Sequence, residues 1–188
     1  MRNLRAAWRV IVLGLAMACL SGACLSRGEA RPATLELAGP DEPGIRLTVD
    51  GVVRGKDGKP VAGAEIHAYQ TDVRGRYTRE KVMDEPHARL SGRLRTDAEG
   101  RFELRTIRPG GYPKTALLDG RERKIPAHIH LDITAPGHAE RHLQLVFSDD
   151  PRLADPYWQD WVRTQGHPVL EPHPSGQGIA GTVIITLD

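Results

Sequence analysis

The chain has 188 residues, and its content of 39% hydrophobic and 27% charged residues is typical of one globular domain. This composition argues against a disordered or membrane-embedded protein. The formal net charge is only +2, and the basic residues are scattered among acidic ones. A nucleic-acid partner would favour a basic stripe or patch, so we set that class aside.

The beginning of the chain resembles a secretory signal. Three arginines among the first nine residues precede an apolar run at 10–20, and small residues follow at 21–23. A basic start and a short apolar segment are typical of a signal that is cleaved, here near Ala23 or Ala30. We therefore predict that residues 1–30 form a signal peptide. The protein is then exported to the periplasm, the cell envelope or the extracellular space.

Both cysteines, Cys19 and Cys24, lie in this segment, so we expect no disulfide in the mature domain. Residues 21–24 also resemble a bacterial lipoprotein cleavage site, although Ser21 stands where an aliphatic residue is usual. In that case a lipid on Cys24 would tether the protein to a membrane, and both interpretations stay open. The mixture of Arg, Gly, Pro and acidic residues at 31–44 predicts a linker.

Short alternating apolar segments, separated by turn residues, follow from residue 45 onward. Such alternation is typical of strands with one buried face. A helix is predicted at 155–163, where Trp158, Trp161 and Val162 fall on one face. Strands without long helices between them predict an all-β fold, an antiparallel β-sandwich over residues 45–188. The predicted strands are 46–54, 64–69, 90–96, 101–107, 127–133, 142–147 and 181–187.

The strand at 127–133 contains the sequence His-Ile-His. Successive side chains of a strand point to opposite faces, so His128 and His130 lie on one face, close enough to bind one metal ion. Asp132 lies on the same face. A zinc site of the form His-x-His-x-Asp is therefore one interpretation of this strand.

Two tyrosines in turn-rich segments extend the candidate site. Tyr77 ends the segment Asp-Val-Arg-Gly-Arg-Tyr, and Tyr112 follows Arg-Pro-Gly-Gly. Two phenolates with two neutral imidazoles suit oxidised iron better than zinc, which favours nitrogen and sulfur ligands. Either tyrosine alone is typical of an ordinary loop residue, so the ferric interpretation depends on the combination with the two histidines.

The order of these motifs resembles that of the intradiol ring-cleavage dioxygenases. These non-haem iron(III) enzymes open catechols between their two hydroxyl groups. The resemblance extends from about Val49 to Pro151 and includes the last predicted strand. The segments that carry it are 55–64, 69–77, 94–102, 106–112, 126–130 and 143–151.

The resemblance implies a set of site residues and a reaction. One mononuclear Fe(III) ion would be held by Tyr77, Tyr112, His128 and His130. Tyr112 would leave the iron when substrate binds and would accept a substrate proton. Gln144 would stabilise negative charge as the ring reacts. The resemblance therefore implies a dioxygenase whose substrates are a small aromatic diol and O2.

Two features of the sequence leave the substrate contacts and the function of the protein open to other interpretations. The family commonly has an arginine three residues before the first histidine, where this chain has Ile125. We hypothesise that Arg121, Arg123 or Lys124 supplies a cation near the substrate ring instead. The turn at 55–64 also occurs in transthyretin-like and carboxypeptidase-associated sandwiches. An exported binding module without catalysis is therefore an alternative, beside the zinc protein.

Overall fold

The computed structural model describes residues 33–80, 84–112, 115–118 and 120–188. The predicted signal peptide and Cys24 lie outside these ranges, so export and lipidation stay predictions. Within the described ranges, no helix is long and apolar enough to span a membrane.

Strands make up most of the regular structure. The single α-helix among the described residues, α1 (Pro156–Gln165), follows the ninth strand. Short 3-10 turns lie at Glu85–His87 and Pro151–Ala154. The strands are β1 (Ala33–Glu36), β2 (Arg46–Gly55), β3 (Glu65–Gln70), β4 (Leu90–Arg95), β5 (Arg101–Ile107), β6 (Thr115–Leu118), β7 (Arg121–Lys124), β8 (His128–Thr134), β9 (Arg141–Phe147), β10 (Val169–Leu170), β11 (His173–Ser175) and β12 (Gly178–Leu187).

The strands form two five-stranded sheets and one hairpin. The first sheet has the order β1-β5-β2-β12-β11, and the second has the order β10-β9-β8-β3-β4. The hairpin consists of β6 and β7. The predicted sandwich is therefore confirmed.

The core lies between the two sheets and is built from alternate residues of their central strands. Val49 and Val53 of β2 and Leu104 of β5 are buried in the first sheet, and Ile66 of β3 and Ile129 of β8 are buried in the second. Burial of one such side chain contributes about 1.5–3 kcal/mol. Because side chains alternate, the residues on either side of Ile129 point to the outer face of the second sheet.

The ladders are mixed in direction, which the antiparallel prediction did not include. The β12 strand pairs with β2 in parallel, from Ile179 opposite Leu47 to Leu187 opposite Gly55. The pairs β1–β5 and β10–β9 are also parallel. Parallel neighbours need long connections: the segment with α1 connects β9 to β10, and the strands from β3 to β11 lie between β2 and β12 in the chain.

The predicted linker at 31–44 is wrong for residues 33–38. Strand β1 pairs with β5, and Leu37 donates its backbone N–H to the Arg105 carbonyl at 2.8 Å. Leu37 and Ala38 are buried in the core. The alternation at 33–37 is short and lies beside Arg, Gly and Pro, which made the segment resemble a tether. The domain therefore includes residues before Ile45.

The other predicted elements are close to those observed. The helix predicted at 155–163 is α1, which begins after Asp155, whose carboxylate accepts from the Tyr157 N–H. It ends at Gly166, whose positive φ of 66° suits glycine. Trp158 is buried under it. All seven predicted strands are present within a few residues of the expected bounds, whereas the short strands β1, β6, β7, β10 and β11 were not predicted.

Candidate metal centre

Four side chains point to one another on the outer face of the second sheet. The Tyr77 hydroxyl lies 2.8 Å from His130 Nε2, and the Tyr112 hydroxyl lies 3.4 Å from His128 Nε2. The two Nε2 atoms are 3.1 Å apart, and the two hydroxyl oxygens are in direct hydrogen-bond contact. All four residues are buried, with exposed fractions between 1% and 8%. The structure thus brings together the four metal ligands expected from the sequence.

The spacing of these donor atoms fits a metal site. Nitrogen and oxygen ligands lie about 2 Å from an ion such as zinc, so neighbouring ligand atoms are about 2.8–3.4 Å apart at ordinary coordination angles. Three of the four contacts lie in this range. Without a cation, the two imidazoles and two phenols would form a small buried polar cluster that makes few hydrogen bonds to other residues.

Strand β8 and the residue before it orient the histidines. Ile129 is fully buried in the core, so His128 and His130 point outward together. His128 Nδ1 donates to the Pro126 carbonyl at 2.8 Å, which leaves Nε2 as the acceptor that faces the cluster. The buried Asp150 accepts the Ala127 N–H at 2.8 Å and fixes the start of the strand.

The loops that carry the tyrosines are bound to each other. Gly110 donates its N–H to the Asp72 carbonyl at 2.9 Å, and the Thr71 hydroxyl donates to the Gly110 carbonyl at 2.8 Å. A Cβ on Gly110 would lie 2.4 Å from the Val73 carbonyl oxygen. Glycine is needed here for close approach of two backbones, rather than for the conformational freedom that a Pro-Gly-Gly turn suggests. This contact brings Tyr77 and Tyr112 together.

Burial sets the protonation state of the donors. It lowers the pKa of His128 to about 4 and that of His130 to about 3, so both imidazoles are neutral at pH 7. Burial also raises the pKa of the Tyr77 and Tyr112 phenols well above the ordinary value of 10.0. Neutral imidazoles are ready to bind a metal, whereas the phenols need a strongly charged ion to displace their protons.

Tyr69, which the sequence analysis did not assign to the site, packs on one of these histidines. Its ring lies parallel to that of His130, with centroids 4.4 Å apart and an interplanar angle of 5°. The two residues are paired in the β3–β8 ladder. Cross-strand neighbours depend on register, which the sequence alone does not give, although the alternation of β3 placed Tyr69 on the outer face.

Asp132 does not join the cluster. It accepts a hydrogen bond from His142 Nδ1 at 2.9 Å and lies 3.4 Å from His67 Nδ1. Among the described residues, no group of three or more His, Cys, Asp or Glu side chains is arranged to hold a metal. The zinc interpretation therefore loses its third ligand.

Gln144 lies beside the cluster. It is the ladder partner of His130 on β9, so the two side chains are on the same face of the sheet. Its backbone N–H donates to His167 Nδ1 at 3.0 Å, just after the end of α1. The half-buried Gln144 side chain is thus positioned next to one of the candidate ligands.

The cations expected near the substrate differ in their surroundings. Arg123 forms a close ion pair with Asp155, and its guanidinium lies 4.5 Å from the centre of the Tyr157 ring. Its charge is therefore already paired next to α1. Arg121 and Lys124 are exposed. Ile125, at the family's arginine position, is half-buried.

An acidic side chain near the tyrosines was also missed from the sequence. Burial contributes most to the raised pKa of Tyr112, and the carboxylate of Glu85 raises this pKa further through its charge and a side-chain hydrogen bond. Its charge also acts on Tyr77. Glu85 is the first residue of a 3-10 turn. Shortly after this turn, Arg89 donates its backbone N–H to the Tyr77 carbonyl at 2.9 Å, which holds the segment beside the Tyr77 loop. Nothing in the local sequence marks this carboxylate.

Comparison with known proteins gives matches over most of the chain. A family model described as Dioxygenase matches residues 23–177. The catechol 1,2-dioxygenase 2 of Acinetobacter lwoffii is 35% identical over 146 residues, covering 73% of this chain and 51% of that protein. A chlorocatechol 1,2-dioxygenase of Rhodococcus opacus is 36% identical over 132 residues, covering 65% of this chain and 51% of that protein. The chain spans about half the length of these curated relatives.

Solved structures match the fold. The dioxygenase domain of a dioxygenase and carbohydrate-binding fusion protein from Streptomyces sp. SirexAA-E has a TM-score of 0.61 and 30% identity, covering 83% of this chain and 89% of that chain. Catechol 1,2-dioxygenase from Pseudomonas arvilla C-1 has a TM-score of 0.65 and 26% identity, covering 82% of this chain and 56% of that chain. Together with the family-model match, these similarities show that the chain belongs to the intradiol ring-cleavage dioxygenase family.

Proposed function

We propose that the protein binds one mononuclear non-haem Fe(III) ion and cleaves small catechol-type diols between their two hydroxyl groups, using O2. The observation that carries this proposal is the meeting of four donor atoms, the hydroxyls of Tyr77 and Tyr112 and the Nε2 atoms of His128 and His130. The names of the relatives, catechol and chlorocatechol dioxygenases, support the substrate class.

The chemistry of the donor set supports iron in the ferric state. Two phenolates and two neutral imidazoles favour a hard, oxidised ion. When bound, such an ion supplies a Lewis-acidic centre for the two oxygens of a catechol. The lowered pKa values of the histidines keep both imidazoles available as donors down to about pH 4.

Tyr112 is the residue that we assign as the base. Burial raises the pKa of its phenol, so a Tyr112 phenolate that is free of other partners would take up a proton readily. The proton would come from a catechol hydroxyl and would end on the Tyr112 oxygen. Tyr77, whose hydroxyl lies 2.8 Å from His130 Nε2, would hold the metal together with the two histidines. The assignment of the two roles follows the family motifs.

The surroundings of the cluster suit an oxygen-dependent reaction. The four donor residues are at most 8% exposed, so water has little access to them. Gln144 lies on the same sheet face as His130, and its amide can donate a hydrogen bond to a negatively charged oxygen near the cluster. Burial would protect a charged intermediate from water, and this donor would stabilise its negative charge.

We also propose that the reaction takes place outside the cytoplasm. The basic and apolar pattern of residues 1–30 supports export, and Cys24 is the candidate lipid attachment site. Mass spectrometry of the protein purified from its membrane and soluble fractions would measure the mature first residue. A lipid on Cys24 and cleavage near Ala30 are mutually exclusive results, and an uncleaved cytoplasmic chain would contradict both.

The test of the catalytic proposal begins with the purified mature domain, produced with iron available. One iron per chain and a red-brown colour, from tyrosinate-to-iron(III) charge transfer, are expected. Addition of catechol should consume one O2 per ring-opened product. Stoichiometric zinc in a colourless protein, or a metal-free protein that binds aromatics without O2 uptake, would contradict the proposal and favour the zinc or binding-module alternative.

A further inference from the structure

The two histidines of the cluster are held in different ways. His128 Nδ1 donates to the Pro126 carbonyl at 2.8 Å, and this bond fixes its ring. For His130, each hydrogen bond of the ring to a described residue involves Nε2, which faces Tyr77 and His128. Within the part of the chain that the structure describes, the Nδ1 side of His130 therefore has no partner of the kind that usually anchors a metal-binding histidine.

The face of the His130 ring, rather than its Nδ1 edge, is in contact with a neighbouring side chain. The Tyr69 ring lies parallel to it, with 4.4 Å between centroids and 5° between planes. The pair is also in register across the β3–β8 ladder, so both backbones hold it in place. Stacked aromatic pairs of this kind contribute beyond the apolar area that they bury.

Tyr69 also packs against a second histidine, on its own strand. Its ring packs against His67, with 5.1 Å between centroids. His67 Nε2 is 3.1 Å from the Ser91 hydroxyl, and Nδ1 is 3.4 Å from Asp132. The Tyr69 ring thus contacts both the candidate metal ligand and a histidine that has two polar partners of its own.

We propose that Tyr69 is a positioning residue, which fixes the plane of the His130 imidazole so that Nε2 points into the metal centre. The stack alone does not distinguish the two edges of the ring, because a 180° flip keeps the plane. The Tyr77 hydroxyl, 2.8 Å from Nε2, selects the edge. The identity of the ion as iron rests on the proposed function, but the stacking role does not.

This arrangement makes the two histidines unequal ligands. A hydrogen bond from Nδ1 to a carbonyl raises the basicity of Nε2, and His128 has that bond. His130 has a stacked ring instead, which restricts its orientation without polarising Nδ1. We therefore expect a metal ion to depend on Tyr69 through the position of His130 and not through its donor strength.

The test compares Tyr69→Phe, which keeps the ring, with Tyr69→Ile, which removes it and retains a residue suited to a strand. Tyr157→Leu is the matched control, since it removes a tyrosine from the aromatic pair with Trp158, on α1. Tyr69→Val is a second β-branched replacement for use if the Ile variant does not fold. Circular dichroism and the thermal midpoint of the metal-free proteins report folding.

The first measurement uses metal-free protein and the NMR signals of the two imidazoles. In the wild type, the Tyr69 ring current should shift the Cε1 proton signal of His130 upfield, and His128 serves as the internal reference. Tyr69→Ile removes the ring current itself, so the informative result is the line shape: the His130 signal should broaden or split, whereas an equally sharp single signal would show that the imidazole keeps its position without Tyr69. Tyr69→Phe and Tyr157→Leu should leave the His130 signal within experimental error of the wild type.

The second measurement is competition for Fe(III) with a chelator. Loss of partners that orient a metal ligand typically costs about 10–100-fold in affinity, so Tyr69→Ile should weaken iron binding by at least about tenfold. Tyr69→Phe should stay within about threefold. Equal iron affinity of the Ile variant and the wild type, or equal losses in the Phe and Ile variants, would overturn the proposal.

Failure of the proposed function would look different. A wild-type protein that binds no iron contradicts the iron proposal, yet the NMR comparison in metal-free protein still decides the role of Tyr69. Conversely, iron binding that is insensitive to Tyr69 leaves the catalytic proposal intact and rejects the positioning role.

Discussion

Two neighbouring rungs of the second sheet carry similar residues and have opposite properties. A rung here means the residues paired side by side on β3, β8 and β9. The inner rung consists of Tyr69, His130 and Gln144, and the outer rung consists of His67, Asp132 and His142.

The surroundings make the difference. His130 is buried under the loops that carry the tyrosines, and burial lowers its pKa to about 3. His142 is exposed, and its hydrogen bond to Asp132 raises its pKa. Histidine spacing on a strand therefore identifies a face of the sheet, whereas the covering loops decide which part of that face can bind a metal.

Removal of a histidine from the candidate metal centre, which includes His130 of the inner rung, should have the largest effect. His130→Ala and His128→Ala should each lose nearly all bound iron and all measurable ring cleavage, because a buried donor is gone. His142→Ala, on the outer rung, should keep both within about twofold. Metal analysis and O2 uptake would measure this, and equal losses on the two rungs would remove the distinction between them.

Replacement of Tyr112 should separate binding from chemistry. Tyr112→Phe should retain iron and some colour from the Tyr77 phenolate, but it should lose about 10²–10⁴-fold in rate, the range typical of a lost general base. The loss should appear in substrate deprotonation by stopped-flow absorbance. If Tyr112→Phe reacts like the wild type while Tyr77→Phe retains iron and is inactive, the two roles are reversed.

Acid should destabilise the metal-free protein through the two buried histidines, His128 and His130. Above pH 6.5, His128 and His130 are neutral in both the folded and the unfolded chain. Between about pH 6.5 and 4, the unfolded chain binds protons that the folded chain excludes, so the free energy of unfolding falls as the pH falls. Each histidine contributes a slope of up to about 1.4 kcal/mol per pH unit.

Urea unfolding at several pH values would measure this slope. His130→Gln should flatten it, since one excluded proton is removed. His142→Gln should not flatten it, because the raised pKa of His142 acts in the opposite direction, with stability lost as the pH rises. A slope that depends on His142 and not on His130 would contradict the comparison of the two rungs.

The smallest predicted effect concerns substrate charge. Glu85 lies near Tyr112, and Ile125 replaces the family's arginine, so carboxylated catechols should react less well than neutral ones. Glu85→Gln should improve the carboxylated substrate about fivefold relative to catechol, an electrostatic difference of roughly 1 kcal/mol. The exposed Glu140→Gln serves as control. No change in the ratio of kcat/KM values would exclude Glu85 as a determinant.

The sequence predicted the parts of the site that are encoded locally. The alternation of β8 placed His128 and His130 on one face, and the family motifs identified Tyr77 and Tyr112. Tyr69 was not assigned because its contact with His130 depends on the register of two strands that are distant in the chain. Glu85 was missed because its position depends on a 3-10 turn that brings it to a loop 27 residues further along.

In the fold, too, locally encoded elements were predicted and those that depend on distant contacts were not. Strong alternation predicted the central strands, whereas β1 was assigned to a linker because it is short and its neighbours are polar. The direction of β12 was also not predicted. A strand pattern is the same in either direction, so it does not show that β12 runs parallel to β2.

The hydrogen bonds between the two tyrosine loops have a consequence for how such enzymes can diverge or be engineered. Gly110 is bound to both Thr71 and Asp72, so a residue inserted into either loop displaces both phenols together. The lengths of these loops are therefore fixed jointly. The β6–β7 hairpin has no such backbone bond to either loop among the described residues, so we expect changes in its length to leave the four clustered side chains in place.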